Sequence, residues 1–231
     1  MSVAVAAPRS TLADLAQVDG KAELIGGRVV HFTPTGYLPN VVAGRIFRRL
    51  ADYADATQRG VAYTAGMGFA VPELASGRES FSPDAAYYTG PLPVKRMRFI
   101  DGAPDLAVEV RSEGDSGPAA EAQMAAKRAD YFEAGTLVVW DVDPEAGVVR
   151  RHRPGEPAPA VFAAGVGGRR GAGRPRLAAG GRLADGLSRQ PDPLGSWRAA
   201  GFTPAACRRE ADRGEPGRLA HDTVDRQWRK T

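Results

Sequence analysis

The residues with the clearest chemical potential are four charged side chains in or beside apolar segments: Glu23, Asp84, Glu109 and Lys127. Glu109 is the sharpest case, because it lies between two valines in a segment that reads as a buried strand. A carboxylate in such a strand is costly unless a cation or a metal ion compensates it. The alternatives are a structural ion pair with Arg111 or an edge strand, which would leave Glu109 without a chemical role.

Asp84 follows Ser82-Pro83, and proline favours an extended approach into the short strand 85–88. If that strand neighbours the Glu109 strand, the two carboxylates lie side by side at one end of a sheet. A hard cation such as Mg²⁺ relieves their repulsion. By itself, Ser-Pro-Asp is also a common turn. Asp105 is a weaker rival, because it precedes Glu109 by four residues in one strand, roughly 13 Å at about 3.3 Å per residue.

Lys127 lies on a predicted helix over residues 118–134, where it shares one face with Gln123 and Tyr131. An isolated lysine on a helix is usually solvent-exposed. Here the helix directly follows the Glu109 strand and must pack back on the same sheet. Lys127 is therefore a candidate partner of Glu109.

The elements that must position these residues form an α/β pattern. Strand 105–110, helix 118–134 with Gly135 after it, and strand 137–142 have the length of a right-handed βαβ unit. A turn at 143–147 leads into a further strand at 148–152. The pattern predicts a mixed sheet flanked by helices.

The first part of the chain predicts a capped helix, a hairpin and a longer helix. Ser10 or Thr11 can cap a short helix through Val18, and the Gly-Gly pair at 26–27 indicates a hairpin over 22–30. Apolar residues at helical spacing predict an amphipathic helix over 39–57. An extended segment at 61–71, a polar loop at 73–80 and a connection at 90–101 complete this part.

Composition narrows the class of protein. The 231 residues are 43% hydrophobic, carry a formal charge of +4 and include one cysteine, so no internal disulfide can form. The three histidines lack metal-ligand spacing, and neither a phosphate-binding glycine loop nor a G-x-S-x-G motif occurs. No segment has the apolar length of a secretory signal or a membrane span. We expect a soluble cytoplasmic protein.

Residues 163–231 differ in composition, because Gly, Arg, Ala and Pro dominate them without a helical or strand period. We expect a disordered lead at 1–10, a folded domain at 11–162 and an irregular Arg/Gly-rich C-terminal tail at 163–231. Three interpretations of this tail stay open: a nucleic-acid-binding tail, a solvated tail without a role, and a coding frame shifted near residue 163.

Five short motifs together resemble the Uma-type restriction endonuclease family of the PD-(D/E)XK, restriction-endonuclease-like superfamily. Over residues 11–162 they occur in the family's order: AELIGGRVV at 22–30, SPD at 82–84, PDLAVEVRS at 104–112, KRADYFEAG at 127–135 and VWDVD at 139–143.

This resemblance implies a Mg²⁺-dependent endonuclease, with Mn²⁺ as a substitute, that hydrolyses DNA phosphodiester bonds. By position, Asp84 and Glu109 would be the metal ligands, with Lys127 as the third catalytic residue. The supporting residues would be Glu23, Asp105, Arg111 and Tyr131. Arg111 departs from the pattern, because it stands where the superfamily has its lysine.

DNA is the expected partner, with a homodimer as a further option and neither a membrane nor a small-molecule cofactor. Two other classes compete with an active enzyme. One is a catalytically inactive nucleic-acid-binding or regulatory module of the same fold. The other is a truncated product whose sheet lacks its closing segment and leaves an edge exposed.

Overall fold

The computed structural model describes residues 8–163. The predicted lead lies outside the described residues up to position 7, and so does the predicted tail from 164 onward, together with all three interpretations of it. The helices are α1 (Leu12–Leu15), α2 (Tyr37–Thr57) and α3 (Pro118–Glu133). The strands are β1 (Ala22–Ile25), β2 (Arg28–His31), β3 (Val61–Thr64), β4 (Phe69–Ala70), β5 (Ser80–Phe81), β6 (Ala85–Tyr88), β7 (Ile100–Asp101), β8 (Leu106–Val110), β9 (Val138–Asp143), β10 (Val148–His152) and β11 (Ala160–Ala163).

A six-stranded mixed sheet in the order β11-β10-β9-β8-β6-β3 forms the centre of the fold. Strand β8 is parallel to β9 and antiparallel to β6. Helix α3 connects the two parallel strands, as the predicted βαβ unit requires. Antiparallel pairing of β9 with β10 confirms the turn predicted at 143–147.

The β1–β2 hairpin turns at Gly26 and Gly27, which have φ angles of 58° and 68°. Side chains other than glycine rarely adopt this left-handed region, so the Gly-Gly signal correctly located the turn. Hydrogen bonds join the hairpin to the chain before β5: Gly26 N–H donates to the Gly77 carbonyl at 2.7 Å, and Glu79 N–H donates to the Leu24 carbonyl at 2.9 Å.

Helix α2 begins at Tyr37, two residues before the predicted start, and buries the apolar stripe expected from its spacing. Thr11 caps α1 by accepting a hydrogen bond from Asp14 N–H, which confirms the predicted capping threonine. The helix ends at Leu15, short of the predicted Val18. Of residues 8–163, no helix combines the length and apolar character that crossing a membrane requires.

A small second sheet, ordered β5-β4-β7, was not predicted. It interrupts the expected extended segment after Thr64 and adds strands to the expected loops at 73–80 and 90–101. Its side chains Phe69, Phe81 and Ile100 are fully buried in one core cluster with Tyr131 of α3. The Phe81 and Tyr131 rings stack with centroids 4.1 Å apart. This packing fixes the site-bearing helix α3 on the sheet.

The connection from β6 to β7 stands out from this core, with Val94 fully exposed and Met97 97% exposed. Strand β11 pairs with β10 and forms the edge of the large sheet opposite β3. It extends to Ala163, one residue beyond the predicted end of the domain.

Candidate active site

Asp84 and Glu109 meet across the antiparallel pair of β6 and β8. The register pairs Ala85 with Val108, so one further step places Asp84 opposite Glu109. Asp84 N–H donates to the Val108 carbonyl at 2.9 Å, and Val110 N–H donates to Asp84 Oδ2 at 2.8 Å. The backbone thus holds the Asp84 carboxylate at the end of the sheet where Glu109 lies.

Glu109 is buried and bound twice by helix α3. Lys127 Nζ lies 2.9 Å from Glu109 Oε1, and the Tyr131 hydroxyl donates to the same oxygen at 2.6 Å. Lys127 and Tyr131 are four residues apart and share one face of the helix. The exposed-lysine alternative is therefore wrong, because Lys127 is only 15% exposed.

The electrostatics of this group keep Lys127 charged and Tyr131 neutral. Burial lowers the pKa of Lys127, but the charges of Glu109 and Glu23 outweigh it and the net pKa is raised. Burial, with the same two carboxylates, raises the pKa of Tyr131 far above its usual value. Lys127 is consequently a stabiliser of negative charge and not a proton acceptor at neutral pH.

Glu109 itself has a raised pKa. Burial is the main cause; Lys127 opposes it, while the charges of Asp84 and Glu23 add to it. Two carboxylates that repel each other in a buried place form an electrostatically strained pair. A divalent cation between them would relieve this repulsion.

Glu23 is completely buried behind Lys127. Its Oε1 lies 3.1 Å from Lys127 Nζ and accepts a hydrogen bond from Ser82 N–H at 3.0 Å, while Arg78 binds Oε2. Burial raises the pKa of Glu23, but Lys127, Arg78 and the Ser82 N–H outweigh burial and lower it. Arg78 also donates to Asp130 Oδ2 of α3 at 2.8 Å. Glu23 is therefore a second carboxylate, besides Glu109, that holds the Lys127 ammonium in place.

Lys21 forms the remaining ion pair of the site, with its Nζ 2.7 Å from Asp84 Oδ1. The Phe32 ring lies beside both lysines, with its centroid 5.8 Å from Lys21 Nζ and 5.6 Å from Lys127 Nζ. Each of the two opposed carboxylates thus has its own ammonium group.

Two of the predicted supporting residues are bound elsewhere. The Asp105 carboxylate accepts a hydrogen bond from Thr89 N–H at 2.6 Å at the opposite end of β8, so the structure does not bring it to this site. Arg111 shares the face of Glu109 but pairs with Asp141 and Glu121, with 2.6 Å between Arg111 Nη2 and Asp141 Oδ2. The alternative of a Glu109–Arg111 pair is therefore wrong.

Sequence reasoning missed Lys21 and Arg78. Lys21 had a usable signal, because strand alternation places it on the same face as Glu23, two residues later. Arg78 had none, since it lies in a segment interpreted as a polar loop and its partners are distant in sequence. A single bridge pairs it with Ile25 at the end of the hairpin.

The fold, a mixed sheet flanked by helices, also occurs in solved structures of other proteins. The fold is similar to the crystal structure of a "putative nuclease belonging to DUF820" from Anabaena variabilis ATCC 29413, with a TM-score of 0.52 and 18% identity over 66% of this chain and 83% of that one. A second similar structure is that of the DrdV–DNA complex, with a TM-score of 0.31 and 14% identity over 50% of this chain and 64% of that one. No curated protein matches the chain significantly.

Residues 10–165 match the family model Uma2, described as "Putative restriction endonuclease". The chain belongs to this family. Both the resemblance seen in the five motifs and the predicted α/β fold, a mixed sheet flanked by helices, are confirmed. The match ends at residue 165, slightly beyond the predicted boundary at 162.

Proposed function

We propose that this protein is a Mg²⁺-dependent endonuclease that hydrolyses phosphodiester bonds in DNA, with Mn²⁺ able to replace Mg²⁺. The observation that carries the proposal is the placement of Asp84 opposite Glu109 with the Lys127 ammonium on Glu109. Membership of a family described as restriction endonucleases supports the same reaction class.

The donor set fits a hard divalent cation. Mg²⁺ prefers oxygen ligands and is commonly held by one or two carboxylates, with water and substrate phosphate in the other positions. Asp84 and Glu109 supply the two carboxylates. Lys127 and Tyr131 both contact Glu109 through Oε1, so neither of them occupies Oε2. Within residues 8–163 no group of three or more His, Cys, Asp or Glu side chains is arranged for a metal ion. The proposed site is therefore a two-carboxylate one.

The chain's own residues divide the remaining work. When bound, Mg²⁺ would polarise a phosphate oxygen and lower the pKa of a water molecule. Lys127, kept charged by its surroundings, orients the attacking water and neutralises charge that develops on the phosphate. Tyr131 and Glu23 are positioning residues, because they contact Glu109 and Lys127 respectively.

The charge balance of the site suits a phosphodiester. Three cationic side chains, Lys21, Arg78 and Lys127, face four carboxylates, those of Glu23, Asp84, Glu109 and Asp130. The formal sum is one negative charge. A single divalent ion turns it into one positive charge, which a single phosphodiester group then balances.

The test is cleavage of supercoiled plasmid and of single-stranded DNA by the full chain with Mg²⁺, with Mn²⁺ and with EDTA. Glu109→Gln keeps the shape of the side chain and removes its charge, so we expect cleavage to fall by about 10²-fold or more. The matched control is Glu73→Gln, which changes a half-exposed glutamate that pairs with Arg9 outside the site.

Cleavage that persists unchanged in Glu109→Gln, or that EDTA leaves intact, would refute the proposal. Metal binding together with unaltered DNA affinity and no cleavage would favour the inactive binding module. The absence of a cooperative thermal transition in the full chain would favour the truncated product. The cytoplasmic location and the homodimer stay predictions.

A further inference from the structure

We propose that Lys21 is a second cationic residue of this site, which leaves Asp84 when the metal ion binds and then contacts a phosphate of the DNA strand. This inference rests on the proposed function. Lys21 has no counterpart among the residues that the sequence motifs indicate. Its assignment comes from the geometry around Asp84.

A metal ion at this site and the Lys21 ammonium compete for one oxygen of Asp84. Both Asp84 oxygens are occupied, Oδ2 by Val110 N–H at 2.8 Å and Oδ1 by Lys21 Nζ at 2.7 Å. The Val110 N–H belongs to the main chain of β8, whereas the Lys21 ammonium sits at the end of a long side chain and is the more readily displaced partner. An ion that takes a ligand from Asp84 therefore competes with the Lys21 ammonium for Oδ1.

The Lys21 side chain is less enclosed than that of Lys127. It is 24% exposed, whereas Lys127 is 15% exposed and is held between two carboxylates. Lys21 also borders a cavity of about 200 Å³, shared with Phe81 and Ser82 beside the site. A lysine side chain carries a compact charge on a flexible four-carbon stem. The Lys21 ammonium can therefore swing away from Asp84 while the Lys21 backbone stays fixed.

A displaced Lys21 ammonium remains close to the site. The Lys21 backbone is anchored by Phe32 N–H, which donates to the Lys21 carbonyl at 2.9 Å. An ammonium released from Asp84 consequently stays at the rim of the site. A phosphate bound at that site can replace the lost carboxylate, because lysine binds phosphates as a point charge.

Salt dependence of DNA binding tests the contact. Each phosphate neutralised by a lysine contributes about −0.9 to the slope of log affinity against log salt concentration. The probe is a fluorescein-labelled 20-base-pair duplex, measured by anisotropy with Ca²⁺ as the divalent ion and, separately, with EDTA. We expect Lys21→Met to make the slope less negative by about 0.9 in Ca²⁺ and to leave it unchanged in EDTA.

Metal binding measured without DNA tests whether Lys21 and the metal ion compete for Asp84. Here the loss of Lys21 should strengthen binding, whereas it should weaken the contact with DNA. Exposed or partly exposed ion pairs are worth about 0.2–1 kcal/mol, so their removal should tighten metal binding by up to about fivefold. We expect Lys21→Met to bind Mn²⁺ a few-fold more tightly than the wild type in calorimetric titration. A purely structural ion pair would not produce tighter metal binding together with weaker DNA contact.

Lys95→Met is the matched control, because it removes a lysine charge from the exposed connection between β6 and β7. Its Mn²⁺ affinity should equal that of the wild type. Lys21→Arg should restore the salt slope, since it restores the charge. Equal slopes for Lys21→Met and wild type in Ca²⁺ would overturn the inference, and so would an equal loss in EDTA.

Failure of the inference is distinguishable from failure of the proposed function. A wild-type chain that cleaves plasmid, with a Lys21→Met variant whose slope is unchanged, leaves the nuclease standing and removes Lys21 from its substrate contacts. A wild-type chain that neither binds nor cleaves DNA in any buffer overturns both.

Discussion

A buried carboxylate must be compensated, and helix α3 compensates Glu109 twice. Lys127 and Tyr131 converge on one of its oxygens. Lys127 in turn depends on Glu23, which Arg78 holds from the other side. A chain of contacts thus runs from Arg78 through Glu23 and Lys127 to Glu109. Arg78 has no proposed chemical role, but through this chain it helps to position the residues that do.

The Arg78→Met substitution tests this dependence through stability. It leaves Glu23 and Asp130 buried without the guanidinium, so we expect the free energy of unfolding to fall by about 3–5 kcal/mol. In the double variant Arg78→Met, Glu23→Gln, no charge remains at position 23, and the total loss should be smaller than the sum of the two single losses. Urea-induced unfolding measures all three variants.

The Arg49–Asp52 pair of α2 provides the contrast, because it is exposed and spans three residues of one helix. Arg49→Met should change the free energy of unfolding by less than about 0.5 kcal/mol. Strict additivity of the Arg78 and Glu23 substitutions would show that the two side chains are energetically independent, contrary to the contact seen.

The sequence was informative about residues whose setting is local. Glu109 in an apolar strand, Asp84 after a proline and Lys127 on the following helix are all visible in short windows. The pairs Lys21–Asp84 and Arg78–Glu23 join positions 63 and 55 residues apart. No periodicity or spacing links such positions, because only the folded sheet brings them together.

At the scale of elements, length decided what could be predicted. The βαβ unit and α2 contain enough residues for their periodicity to show. Strands β4, β5 and β7 have two residues each, which is too short for any alternation to be recognised. They are nevertheless essential to the site, since Phe81 of β5 is the ring on which Tyr131 stacks.

The turn from α2 into β3 makes an element-scale prediction through Gly60. Its φ is +66°, and an added Cβ would lie 2.7 Å from Tyr87 Cζ and 2.8 Å from the Tyr88 carbonyl oxygen. We expect Gly60→Ala to lower the free energy of unfolding by about 1–3 kcal/mol, because it adds backbone strain and a contact with main-chain atoms. Thermal or urea unfolding measures this loss.

Gly44→Ala is the matched control for Gly60→Ala. Gly44 lies within α2, and an added Cβ would have no atom within 4 Å apart from the adjoining backbone of the helix itself. Alanine should therefore stabilise the helix there by roughly 0.5–1 kcal/mol. If Gly60→Ala leaves stability unchanged or raises it as Gly44→Ala does, the turn does not require glycine at position 60.

At the scale of the whole molecule, His152 links stability to pH. Burial lowers its pKa from the ordinary 6.5, with the charge of Arg128 adding to the effect, and its Nε2 is buried without a hydrogen-bond partner among the described residues. Below pH 6.5 the unfolded chain takes up this proton before the folded one does. Stability should therefore fall as the pH drops below 6.5, until the folded histidine also titrates.

The difference between His152→Gln and wild type isolates this effect. The difference between the two free energies of unfolding should be constant above about pH 7.5. As the pH falls it should shift in favour of the variant, because the variant has no proton to bind at position 152. Exposed His31, changed to Gln, serves as control. A wild-type curve that stays parallel to the His152→Gln curve down to pH 5 would contradict the prediction.

The exposed connection between β6 and β7 divides the proposed active site by chain position. Lys21, Glu23, Arg78 and Asp84 come before it, and Glu109, Lys127 and Tyr131 come after it. A break in this connection would yield two fragments, neither of which contains all the proposed site residues. Under the proposed function, hydrolysis would then report on whether the two fragments have found each other, as in a split-enzyme sensor.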